Sequence, residues 1–241
     1  MGVFDLLKPG RKEVEQTRSA LDAAHDPGAD EDGTVNRLID MLLDTGIDGR
    51  GPLSSATQVA EKQLGDTGGN REEAIRKIAR GTLVSGGVGG FLTGLGGFVT
   101  MPVALPVNVA EFYVQAVRMV GAIAHLRGYD VSDPRIRTAV LLTLVGSNTD
   151  EVLQKAGLAT ASSRATTVAL RNLPPAALMV VNKAVGFRIV RGVSEKMLSR
   201  LGRGVPLAGG VVGGGIDAYM MKKIADHAMK EFPPLTGRGA S

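Results

Sequence analysis

The chain contains no cysteine and no tryptophan among its 241 residues. Without cysteine there is no disulfide, no thiolate nucleophile and no sulfur-ligated metal, a composition that fits a reducing compartment. Aromatic residues reach only 4%. They are not interleaved with the basic residues, so the stacking platform that single-stranded nucleic acid needs is missing and no nucleic-acid partner is expected. Alternating β-branched runs bounded by hairpin turns do not occur, which removes the signals for strands. The first 25 residues, MGVFDLLKPGRKEVEQTRSALDAAH, place an acidic residue early and have no apolar run ahead of their charges. They do not read as an export signal, and cytoplasmic synthesis without export is the expectation.

Catalytic motifs are absent too. GLGGFVT, inside the glycine-rich stretch 90–106, lacks the Lys and the Ser/Thr pair by which a phosphate loop holds phosphate and magnesium. No strand precedes those glycines, so a dinucleotide fingerprint fails as well. There is no G-x-S-x-G elbow, and only His25, His125 and His227 could serve as a base. Glu111, His125, Asp217 and His227 are the hard and imidazole ligands available in the two apolar helices. No pair of them has the i, i+3 or i, i+4 spacing by which one helix supplies two metal ligands. No cofactor and no metal is expected.

What the chain does have is apolar bulk without aromatics. Hydrophobic residues make up 44% and mean hydropathy is +0.09, carried by Ala, Val and Leu, with 33 glycines beside them. Charge is unevenly placed. Residues 1–70 hold 7 basic against 13 acidic side chains, whereas residues 71–241 hold 21 against 11. An acidic arm thus precedes a basic body suited to an anionic surface or an acidic partner.

Helix signals run the length of the chain. Residues 11–24 read as a polar helix and 26–34 as a linker. NRLIDMLLDTG predicts a short helix stopped at Gly46; SSATQVAEKQL predicts another with Ser54 as cap; NREEAIRKIARG predicts a third capped by Asn70, with Glu72 and Glu73 in its first turn. Residues 81–110 then carry no charge at all, longer than the roughly 18–20 residues a membrane span needs. Gly86, Gly90 and Gly94 repeat every four residues, and Gly209 with Gly213 repeats the device near the C-terminus. Bare backbone along one helix face permits close crossings, either inside a bundle or in a bilayer. Both readings stay open.

Two further helices carry patterns. In NVAEFYVQAVRMVGAIAHLRGYD the polar residues Asn108, Glu111, Gln115, Arg118 and His125 fall on one narrow stripe of an otherwise apolar helix. That stripe is either satisfied within the fold or lines a functional surface. After a break at Pro174 and Pro175, KAVGFRIVRGVSEKMLSRLGR places Arg188, Arg191, Lys196, Arg200 and Arg203 on one side, with Phe187, Val190, Val193, Met197, Leu198 and Leu201 on the other. Such a basic amphipathic helix suits an anionic membrane interface. Gly186 and Gly192 are expected to weaken it.

Taken in order, GFLTGLGGFVTMPVALPVNVAEFYVQAVRMVGAIAHLRGYD and NKAVGFRIVRGVSEKMLSRLGRGVPLAGGVVGGGIDAYMMKKIADHAMKEF resemble the signature of the EcsC family: a Gly-rich segment, paired prolines, a long apolar helix closing on Gly-Tyr-Asp, then Val-Pro, a glycine cluster and a final Ala-x-x-x-Phe at Ala228–Phe232. The resemblance covers about residues 55–233. It implies a helical bacterial protein of a family named for an operon containing an ABC transporter, and it supplies no catalytic residues.

The expected fold is all-α, a helical bundle with two glycine-rich apolar hairpins. The expected organisation is an acidic, partly flexible region over 1–50, an EcsC-like helical domain over 51–233 and a disordered tail over 234–241. The expected function is that of a non-catalytic accessory protein, cytoplasmic and held peripherally at the inner face of the membrane, contacting lipid or a membrane protein such as a transporter. Integral insertion and homo-oligomerisation stay open. The rivals are an enzyme, metal-dependent or not, with a pocket around Glu111, His125 and Asp217, and a soluble helical scaffold.

Overall fold

The structure is a computed structural model that describes residues 33–51, 53–85, 107–146, 149, 170, 173–201 and 210–235. The segment 11–24, the uncharged run from 86 to 106, Gly86, Gly90, Gly94, Gly209 and Arg203 lie outside the described residues. Among the described residues there are seven α-helices and no strand: α1 (Thr34–Leu43), α2 (Ala56–Asp66), α3 (Arg71–Ser85), α4 (Val107–Leu126), α5 (Pro134–Val145), α6 (Pro175–Leu201) and α7 (Gly210–Glu231). The all-α expectation holds.

Local chemistry explains most of the boundaries. Gly33, at φ 67°, precedes α1, which does not stop at Gly46 but runs on through a π turn, Asp44–Asp48, to Gly49 at φ 78°. Gly46 serves packing instead: a Cβ there would lie 2.6 Å from Val117 Cγ1 and 3.1 Å from the Val114 carbonyl. The glycine that ends the element is Gly49, where positive φ is needed.

Ser55, not Ser54, caps α2. Its hydroxyl accepts the Gln58 N–H at 3.1 Å while the Gln58 side chain accepts the Ser55 N–H at 2.9 Å, and this reciprocal box requires Gln three residues after the cap. Asn70 caps α3 as expected, accepting from Glu73 N–H at 3.0 Å. Asp133 caps α5 through Arg135 N–H at 2.8 Å, with Pro134 in the first helical position.

α4 is the axis. From Val114 to Ala124 nearly every side chain is buried whatever direction it points, as for a helix enclosed by others. It packs against α1, the π turn, α2, α3, α5 and α7, while α6 lies on α1 and α5, and α7 also meets α3 and α5. α1 and the π turn, both N-terminal to residue 51, contribute Leu38, Leu42 and Ile47 to the same core. Two internal glycines allow close crossings. A Cβ at Gly121 would lie 2.9 Å from Ala56 Cβ, and one at Gly186 would collide with Val35 Cγ1. The expected weakening of α6 at its glycines does not interrupt it: the helix runs unbroken for 27 residues, and Gly186 is where α1 presses against it.

The end of α4 and the end of α7 are locked together. Gly128 turns the chain at φ 90°. Tyr129 then sets its ring edge-on to Phe232, centroids 5.2 Å apart, and donates its hydroxyl to the Pro233 carbonyl at 2.9 Å. Leu235 N–H bonds the Arg127 carbonyl at 3.0 Å. Arg127 also pairs with Glu72 of α3 at 3.2 Å. The Gly-Tyr-Asp and Ala-x-x-x-Phe motifs thus form one structural clasp, with Ala228 and Phe232 wholly buried.

Candidate functional site

α6 presents an unusual outward face. Its inward side is Leu178, Val181, Val185 and Ile189, all buried. Met179 and Val180 stand outside that arc, 69% and 51% exposed. A helical turn further on, Lys183 places its ammonium 5.8 Å from the Phe187 ring centroid, and Arg191 is exposed another turn beyond. The spacing 179, 180, 183, 187, 191 keeps these residues on one face. The arc narrows towards its end, where Val190 is buried and Arg188 half-buried. Lys196 and Arg200 continue along α6.

The polar stripe of α4 divides into two unrelated parts. In the first half, Gln115 is 6% exposed and donates its amide to Glu111 Oε1 at 3.3 Å. Burial pushes the Glu111 carboxyl above its ordinary value and the Gln115 bond partly offsets this; burial likewise lowers Arg118. Tyr113, on the same helix, is pushed by burial to about 12. These are marks of a low-polarity setting that disfavours every charged form. Asn108 lies in the first turn of α4. In the second half, His125 Nε2 meets Glu61 Oε1 of α2 at 2.7 Å, beside a cleft of about 350 Å³ lined by Ser55, Thr57, Asp130 and Ser132.

The pocket expected around Glu111, His125 and Asp217 does not assemble. Glu111 and His125 are fourteen residues apart on one straight element, about 21 Å by helical rise, and each has its own partner. Asp217 is exposed on α7. Among the described residues no three His, Asp or Glu side chains converge as a metal site would require. A second cleft, about 460 Å³, lies between the end of α5 and α7, with Lys223, His227 and Lys230 on its wall.

Sequence reasoning passed over Met179, Val180, Lys223 and Lys230. For the two lysines the signal was present, cations at i, i+7 flanking a histidine in α7; for Met179 and Val180 it was not, since two adjacent apolar residues read as core until the buried arc of α6 is fixed. Of the glycines expected to pack helices, Gly213 lies within α7, while Gly46, Gly121 and Gly186 provide the close contacts among the described residues.

Among the described residues no helix is long and apolar enough to cross a membrane. No curated protein and no solved structure matches the chain. The model of the EcsC protein family matches residues 39–233, which takes in α1 from its middle, the whole bundle and both halves of the clasp, and the chain therefore belongs to the EcsC protein family.

Proposed function

We propose that this protein is a non-catalytic accessory protein that associates peripherally with the cytoplasmic face of a membrane, meeting anionic lipid through the outward face of α6. The observation that carries the reading is the exposed pair Met179 and Val180 followed along one face by Lys183, over Phe187, and Arg191. Apolar side chains in the interface with cations beside them form the arrangement by which a helix lies in the plane of a bilayer. Immersing the exposed parts of Met179 and Val180 contributes roughly 2–3 kcal/mol, and each cation near an anionic surface about 1 kcal/mol. Those magnitudes give reversible rather than permanent attachment, with a share that salt screens.

Sedimentation with vesicles containing phosphatidylserine tests this. The full chain binds at low salt, binding falls at high salt, and carbonate washing strips it. Met179→Ser with Val180→Ser weakens binding by about thirty- to a hundred-and-fiftyfold, the affinity equivalent of that apolar term. No binding at low salt, or binding that survives carbonate, contradicts the proposal. A membrane protein such as a transporter is the rival occupant of this face, and would appear as vesicle binding that depends on that protein being present.

A further inference from the structure

We infer that the cleft between the C-terminal end of α5 and the face of α7 is a binding site for a phosphate group. This inference is independent of the α6 face. Lys223, His227 and Lys230 stand at i, i+4 and i+7 on α7, so one helix face directs two ammonium groups and an imidazole to the same wall. Lys223 is held in place by the Tyr219 ring, 4.8 Å from its ammonium. Asp226, the carboxylate on the same wall, is engaged by Lys222 at 2.6 Å. No carboxylate among the described residues pairs with Lys223 or Lys230.

The imidazole supplies a second observation. His227 Nε2 is buried with no hydrogen-bond partner, and such a nitrogen has lost the bond it made in water without replacement. The ring belongs to the cleft wall, so a turn of the imidazole towards the cleft would give that nitrogen a ligand oxygen as partner.

The opposite wall is the end of α5, which carries the negative end of its helix dipole, about half a charge. That charge is partly answered already, because the Thr149 hydroxyl reaches the Gly146 carbonyl at 2.7 Å and the Leu142 carbonyl at 3.3 Å. Two lysines outweigh the remainder. The rest of the lining is apolar, chiefly Leu144, Met220 and Ile224. A volume of about 460 Å³ accommodates a phosphate with the carbon skeleton attached to it. The ligand is therefore a phosphomonoester or a phosphate headgroup, carried by a lipid or free in solution.

Titration of the full chain with inorganic phosphate and, separately, with dihexanoyl phosphatidic acid below its micelle concentration distinguishes the two sources. The proposal expects at least one probe to bind, with Lys223→Gln and Lys230→Gln each weakening it about tenfold, as loss of a charge-assisted bond does, and Lys62→Gln, on exposed α2, leaving it unchanged. Binding of both probes assigns the site to the phosphate alone; lysine-dependent binding of the lipid analogue only assigns it to a headgroup with its acyl chain. Absence of binding by both, or binding indifferent to both lysine substitutions, overturns it. Neither probe forms a bilayer, and the Met179→Ser, Val180→Ser variant binds them like the parent, so failure here is separable from failure of the membrane contact.

Discussion

Glu111 shows what a half-buried carboxylate does to this fold. Its carboxyl is raised by burial more than the Gln115 bond lowers it, so the native state binds its proton more tightly than the unfolded chain does. A raised pKa contributes stability that is full below the unfolded value of 4.5 and lost as pH rises through the folded value. Glu111→Gln keeps an oxygen for the Gln115 amide and removes the charge. Thermal unfolding should find the variant at least as stable as the parent at pH 7, with its relative advantage disappearing near pH 4; a variant less stable than the parent at pH 7 would mean that the negative charge is needed. Gly186 gives a simpler test. An added methyl meets Val35 Cγ1, with Ile39 Cγ1 at 3.2 Å, and overpacking of this kind costs roughly 1–3 kcal/mol. Gly186→Ala should lower the melting temperature by about 2–4 °C for each kcal/mol lost.

At the scale of elements, the ends of helices were legible where a cap side chain sits next to the pattern it starts, as with Asn70, and misplaced where two candidates adjoin. Ser54 and Ser55 are chemically alike, and only the reach of Gln58 back to the cap decides between them. Replacing Ser55 with Ala should cost about 1 kcal/mol, while Ser54→Ala should cost little; equal losses in chemical denaturation would refute that assignment. Gly46 misled for a physical reason. Glycine ends helices when it takes positive φ, but it also sits inside them where another backbone approaches, and a sequence does not say which. Nor could the polar stripe of α4 be read as two things, because His125 finds Glu61 sixty-four residues earlier, and that contact exists only once α2 has packed on α4. Of the cations placed on the basic side of α6, Arg191 is exposed and Arg188 half-buried, and the apolar exposed end of the helix was not legible: Met179 and Val180 fit a buried pattern until the arc facing α1 and α5 is fixed.

For the molecule as a whole, the fold class and the family followed from the order of its motifs, and the clasp brings two of them, Gly-Tyr-Asp and Ala-x-x-x-Phe, into contact. Tyr129 and Phe232 are 103 positions apart but form one ring pair, so the end of α4 and the end of α7 are tied across the described bundle. Tyr129→Phe retains that pair and loses the bond to Pro233, an expected loss of about 1 kcal/mol without any change in vesicle binding. Among the described residues, the adjacent exposed apolar pair Met179 and Val180 lies on α6, and that is the face the proposed membrane contact uses.

Because the chain has no cysteine, a single one can be placed and labelled without background. The most direct measurement puts an environment-sensitive fluorophore on Met179→Cys and, for comparison, on Lys62→Cys, an exposed position of α2. Anionic vesicles should shift the emission of the label at 179 to the blue and leave that at 62 unchanged. An unshifted label at 179 while the protein is bound, or equal shifts at both positions, would contradict the claim that the α6 face is what meets the membrane.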